Sequence, residues 1–99
     1  MMANPAHPGE FIRDEILPAF GVTITKAVEI LGVSRPGFNN MLNCHRALTP
    51  EMAMKIEAAF GVSANLLMGL QSNYDLAQAR QRADEIVGGI KRQKMLEGR

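Results

Sequence analysis

Apolar residues recur at helical spacing along most of the chain, and β-branched residues are scattered singly rather than alternating, so helices are expected and strands are not. Ile24, Ala27, Val28 and Leu31 fall at i, i+3, i+4 and i+7 and predict one amphipathic helix; Phe38, Met41 and Leu42 predict a second. Upstream, Pro8-Gly9 opens a helix over Glu10 to Leu17, with Phe11, Ile12 and Ile16 on its apolar face and Pro18 as its stop. Downstream, Thr49-Pro50-Glu51 is a helix start, with an N-cap, a Pro in the first turn and an acid at the positive helix end. Met52, Ala53, Ile56, Ala59 and Phe60 are its inward positions, and Gly61 ends it. Ser63 caps a fifth helix holding Leu66, Leu67, Leu70 and Tyr74. From Leu76 the spacing continues through Ala79, Ala83, Ile86, Val87 and Ile90, which either extends the fifth helix or adds a sixth, with Gly88-Gly89 as a weak point. The fold class is therefore all-α, with five or six helices. Residues 1–79 are read as the folded domain and 80–99 as a basic helical extension or tail.

The two central helices are separated only by Gly32-Val33-Ser34, the spacing of a helix-turn-helix. Thr23 caps the first; Gly32 supplies the positive φ of a tight exit; Ser34 caps the second almost at once. With Phe38, Met41 and Leu42 turned to the core, Arg35, Pro36, Gly37, Asn39 and Asn40 lie outward or at the N-terminal end, the part of such a helix that enters the major groove. Arg can pair with guanine O6 and N7 and Asn with adenine N6 and N7, each good bidentate pair discriminating by roughly 1–3 kcal/mol.

Charge changes this picture locally. The net charge is only +1, and residues 1–79 hold five Lys and Arg against seven Asp and Glu, so no uniform basic coat exists. Yet no acid occurs from Ile30 to Pro50, where Arg35, His45 and Arg46 lie. Phosphate contacts act within a Debye length of about 8 Å, so this window matters more than the total. The last twenty residues carry six Lys and Arg against three acids, a run that solvation alone explains or that reaches DNA or a partner. No apolar run reaches 18 residues, no secretory leader is evident and a single Cys forms no internal disulfide, which together predict a cytoplasmic protein away from membranes.

His7-Pro8-Gly9-Glu10, Leu31-Gly32-Val33-Ser34-Arg35, Asn43 with Arg46-Ala47-Leu48-Thr49, Met52-Ala53, and Leu70-Gln71 with Tyr74-Asp75-Leu76 resemble, in this order, the HigA antitoxin family. The resemblance runs from about His7 to Ala79. It implies a λ-repressor-like helix-turn-helix fold, a homodimer that binds double-stranded operator DNA of its own operon, and neutralisation of a co-encoded HigB-type toxin that cleaves mRNA. Carried over residue by residue, DNA contact falls on Thr23, Ser34, Arg35, Pro36, Gly37, Asn39, Asn40 and Arg46. Arg35, Asn39 and Asn40 are the base readers, whereas Thr23, Ser34 and Arg46 grip phosphates and fix register. Ile24 stands where such motifs often place a phosphate-binding Gln, Val28 where a small Ala is common, and Cys44 at the usual loop glycine; Gly37 removes a further side chain. Fewer anchors predict weaker or more shape-dependent binding.

No other chemistry competes. Cys44-His45 are sequence neighbours with only His7 as a further imidazole, too few ligands for zinc and no orienting group for a nucleophile. Asp14-Glu15 and Asp84-Glu85 diverge around their helices, and Gly32 and Gly37 lack the Lys of a phosphate loop, so neither an enzyme nor a cofactor is expected. Met41, Met52 and Met68 lie on or beside core stripes and read as packing. Reading a palindrome needs two recognition helices about 34 Å apart, hence a dimer. Its seam is placed on Tyr74, Ala83, Ile86, Val87 and Ile90, an apolar stripe beyond a completed core. Two rivals are a free-standing repressor of the same fold without a toxin, and a protein-binding adaptor that has lost DNA affinity.

Overall fold

The first helix does not stop at its proline. In the computed structural model, which describes residues 5–96, it comprises an α-turn over Pro8–Phe11, a π-helical stretch over Ile12–Ile16 and a final turn over Leu17–Ala19, together α1. Pro18 brings no N–H and its ring crowds the preceding turn; widening that turn, so that the Leu17 N–H donates to the Ile12 carbonyl five residues back, lets the helix pass through. The stop expected at Pro18 is instead made by Gly21 at φ 63°. There the Val22 N–H donates to the Leu17 carbonyl and the Gly21 N–H to the Pro18 carbonyl, the paired bonds of a Schellman turn.

Five further helices follow: α2 (Ile24–Leu31), α3 (Arg35–Leu42), α4 (Pro50–Phe60), α5 (Ala64–Arg80) and α6 (Ala83–Val87). No strand occurs among the described residues, and no helix among them is long and apolar enough to cross a membrane. The stripe beyond Tyr74 resolves into both expected alternatives, because α5 runs on to Arg80 and a one-turn α6 follows a break at Gln81-Arg82. The break precedes Gly88-Gly89, and Gly88 then ends α6.

One core holds α1 to α5. Ile12, Ile16, Leu17, Ala27, Leu31, Phe38, Met41, Leu42, Leu48, Ala53, Ile56, Phe60 and Leu67 are buried, and Met52 and Met68 pack against it. Each helix thus contributes the face its periodicity assigned, with two corrections: Leu66 and Ala59 are exposed. Buried Leu48, in the loop before α4, had no helical neighbours in sequence to mark it. The chain reaches 58 Å along its longest axis with a radius of gyration of 17.7 Å, against about 13 Å for a compact domain of this length. The excess length comes with a C-terminal segment in which every described residue from Arg80 onward is exposed.

Candidate nucleic-acid interface

Two tight caps set the helix-turn-helix. The Thr23 hydroxyl accepts the Lys26 N–H at 3.1 Å and starts α2; Gly32 ends it at φ 66°, its N–H donating to the Val28 carbonyl. The Ser34 hydroxyl accepts the Gly37 N–H at 3.2 Å and starts α3. Gly32 and Ser34 are both committed to caps and only Val33 lies between them, so α3 is held at a fixed angle to α2. Phe38, Met41 and Leu42 then anchor α3 from beneath.

What α3 presents outward is Arg35 and Pro36, both exposed, followed by half-buried Gly37, Asn39 and Asn40. Among the described residues no side chain engages the amide of Asn39 or Asn40 in a hydrogen bond, which leaves their donors and acceptors for a partner. The Arg35 guanidinium is already oriented, since its Nη1 donates to Thr25 Oγ1 at 2.7 Å and its other N–H groups remain available. Sequence reading missed Thr25, which is polar and exposed on α2, as its relation to Arg35 depends on the crossing of two helices and not on spacing. Arg46 approaches from the opposite side. A Cβ added to Gly37 would press on the capping Ser34 Oγ at 2.9 Å and would lie in ordinary contact, 3.7 Å, with Arg46 Nη1, which places the guanidinium beside the first turn of α3. A shallow depression between α3 and the start of α4 is lined by Ser34, Gly37, Arg46 and Thr49 at its polar edge and by Phe38 and Met52 below. Arginines thus flank the positive end of α3, a surface suited to an anionic polymer.

The two ends of the chain's diagnostic sequence pieces meet behind this surface. The His7 Nδ1 accepts the Gly9 N–H at 2.8 Å and caps α1, while its ring stands edge-on to Tyr74 with centroids 4.9 Å apart. Burial holds the His7 pKa below its ordinary value, outweighing Asp75, the Arg46 backbone and Glu10, which all act to raise it. Gly9 lies so close to the end of α3 that any Cβ there would collide with the Met41 carbonyl oxygen. From α5, the buried Gln71 Oε1 accepts the Leu48 N–H at 2.7 Å and its Nε2 donates to Asp75 Oδ1 at 2.8 Å. Cys44 occupies the loop after α3 at φ 66°, a left-handed conformation that costs a non-glycine residue about 1–2 kcal/mol. Burial pushes its thiol pKa up, with Glu10 adding to the effect, which leaves it a poor nucleophile at neutral pH.

The dimer candidates divide. Ala83, Ile86 and Val87 line an open apolar groove with Leu76 and Ala79, and Ile90 lies 73% exposed just beyond. Tyr74 is elsewhere, on the face of α5 that turns inward to His7. No group of three or more His, Cys, Asp or Glu among the described residues is arranged to hold a metal ion.

No family model matches the chain. Individual relatives do. Virulence-associated protein A of Dichelobacter nodosus is 33% identical over 97 residues, which span 97% of this chain and 95% of that protein. Antitoxin HigA-1 of Vibrio cholerae is 32% identical over 82 residues, 83% of this chain and 77% of that one. Among solved structures, the Pseudomonas aeruginosa antitoxin HigA with higBA promoter superposes with a TM-score of 0.84 at 34% identity, covering 92% of this chain and all of that one. In sequence and in the order of its helices the chain belongs to the HigA antitoxin family, a non-enzymatic family of helix-turn-helix proteins.

Proposed function

We propose that this protein is an antitoxin and autorepressor: as a homodimer it binds operator DNA of its own operon through α3, and it neutralises a co-encoded HigB-type toxin. The observation that carries the DNA reading is the presentation of Arg35, Asn39 and Asn40 on a short helix capped by Ser34, outside the core, with Arg46 beside them and no acid between Ile30 and Pro50. Support also comes from the HigA of P. aeruginosa, a close structural neighbour described with promoter DNA. Residues 1–79 serve as the DNA-binding domain and 80–99 as its extension. Arg35, Asn39 and Asn40 read bases, and Arg46 grips phosphate. Thr23 and Ser34 each accept one backbone N–H, and their phosphate role rests on the donor O–H and on the helix ends they expose. The seam lies along Ala83, Ile86, Val87 and Ile90 without Tyr74. Such a protein works in the cytoplasm, where its operon lies.

The test is a mobility shift on the DNA upstream of its own gene across a salt series. Arg35→Ala is expected to lose about 1–3 kcal/mol of discrimination at one base pair while keeping non-specific affinity. Arg46→Ala weakens all sequences alike and flattens the dependence on salt. Binding that ignores both sequence and salt defeats the repressor reading. Co-purification with the neighbouring gene product tests the antitoxin part, and a neighbouring frame encoding no small ribonuclease leaves the free-standing repressor.

A further inference from the structure

The loop between α3 and α4 does not hold itself. His45 N–H still donates to the Asn40 carbonyl, and regular bonding resumes when Ala53 N–H reaches the Thr49 carbonyl. Between these points no backbone–backbone hydrogen bond among the described residues involves Arg46, Ala47 or Leu48. Buried backbone polar groups must still find partners, and here they come from outside. Gln71, 4% exposed and on the inner face of α5, accepts the Leu48 N–H at 2.7 Å. The Gln71 amide is itself oriented, because its Nε2 donates to Asp75 Oδ1 one turn on, which fixes Oε1 as the end facing the loop. The buried Leu48 side chain supplies the other anchor, and the His7 ring faces the Arg46 backbone. Arg46 therefore projects from a loop tied to α3 through His45 on one side and to α5 through Leu48 on the other.

We infer that Gln71, kept in register by Asp75, is a positioning residue for DNA binding: it fixes the Arg46 loop so that the guanidinium stands beside the first turn of α3. Gln71 touches no nucleic acid itself. Its role deepens the repressor reading and rests on it, since it matters to binding only if Arg46 meets phosphate.

The experiment uses the full chain and its upstream operator duplex, with affinity measured across salt concentrations well below the melting temperature. Wild type and Arg46→Ala come first: a salt slope smaller by about 0.9 per protomer in Arg46→Ala is the signature of one lost phosphate contact on each, about a 12-fold smaller fall in the affinity of the dimer from 50 to 200 mM. Gln71→Met keeps the volume and removes the acceptor. It is expected to reproduce the Arg46→Ala slope, to speed amide exchange at Leu48, and to add little when combined with Arg46→Ala. Gln71→Glu with Asp75→Asn reverses the donor and acceptor of the side-chain pair, keeps an oxygen toward Leu48, and is expected to restore the wild-type slope. A purely structural role lowers the melting temperature without moving the slope, so folded Gln71→Met with faster Leu48 exchange and an unchanged slope overturns the inference. If Gln71→Met does not fold, Asp75→Ala at the exposed partner frees the amide instead; a partial loss of slope supports the inference and none overturns it. Wild type that binds without salt dependence, or Arg46→Ala with the slope of wild type, refutes the repressor reading of Arg46 and the inference with it.

Discussion

The helical body and the C-terminal segment obey different physics. From His7 to Gln71 every helix places at least one side chain in the core; beyond Gln71 no described residue is buried, and Leu76, Ile86, Val87 and Ile90 stand about half or more exposed. The body completes itself. Past Tyr74 the segment has apolar surface at helical spacing, and among the described residues the main packing of α6 is on the end of α5. Contiguous apolar surface of this kind marks a contact site, and in the homodimer proposed above a second copy of the same stripe meets the two-fold symmetry of a palindromic operator.

The largest expected effect separates the two regions by truncation of one apolar residue in each. Phe38→Ala empties a fully buried site at the centre of the body and is expected to cost about 3–5 kcal/mol, enough to unfold much of the population of a domain this small. Ile86→Ala in the segment is expected to leave the melting temperature of dilute protein almost unchanged. Thermal melts at low concentration check both, and an equal loss at the two sites would erase the distinction. Next in size is Ile86→Glu, which places a charge in the groove with Leu76, Ala83 and Val87. Sedimentation is expected to show dimer association weakened more than 10-fold, at least about 1.4 kcal/mol, with the body still folded. Unchanged self-association would move the seam elsewhere.

Much of the body was legible because its signals are local. Thr23, Ser34, Thr49 and Ser63 each cap the helix that follows through a hydroxyl accepting an N–H three residues on, a pairing that sequence spacing alone encodes. Phe38, Met41 and Leu42 declared the inner face of α3 by the same logic. What escaped was relational. Nothing around Gln71 announces that its amide will meet Leu48 23 residues away, nor around Thr25 that Arg35 will reach it. A buried glutamine reads as a polar surface residue until the loop it satisfies is known, and Tyr74 reads as part of an outward stripe until His7 is seen against it. Pro18 misled for another reason. The penalty of a mid-helix proline is real, but a wider turn relieves it, and sequence carries no sign of which solution the chain takes.

The junction between body and segment has its own control point in His7. Its neutral Nδ1 accepts the Gly9 N–H, so protonation there abolishes the cap of α1 and loosens the packing on Tyr74. Burial depresses the folded pKa below 6.5, with Asp75, the Arg46 backbone and Glu10 only partly offsetting it, so the unfolded chain binds the proton more readily. Stability is accordingly whole above pH 6.5 and declines as pH falls from there through the folded value, levelling off beneath it. His7→Asn retains an acceptor for Gly9 and cannot titrate; denaturant melts between pH 7.5 and about 5 are expected to flatten its contribution relative to wild type. A wild-type stability that rises on acidification through this window contradicts the assignment.

The smallest effect tests strain at the end of the recognition helix. Cys44 sits at φ 66°, where Cβ crowds the backbone, and its N–H donates to the Met41 carbonyl at 3.1 Å, which stops it relaxing without breaking the exit from α3. Glycine adopts that conformation without penalty but loses more entropy on folding, so the two terms oppose at about 1–2 and 0.5–1 kcal/mol. Relief of strain wins, and Cys44→Gly is expected to stabilise the protein by about 0.5–1 kcal/mol with DNA affinity unchanged, since glycine keeps the same backbone path and the ties of the loop at His45 and Leu48. A less stable Cys44→Gly would mean that the half-buried thiol contributes more by packing than its backbone loses by strain.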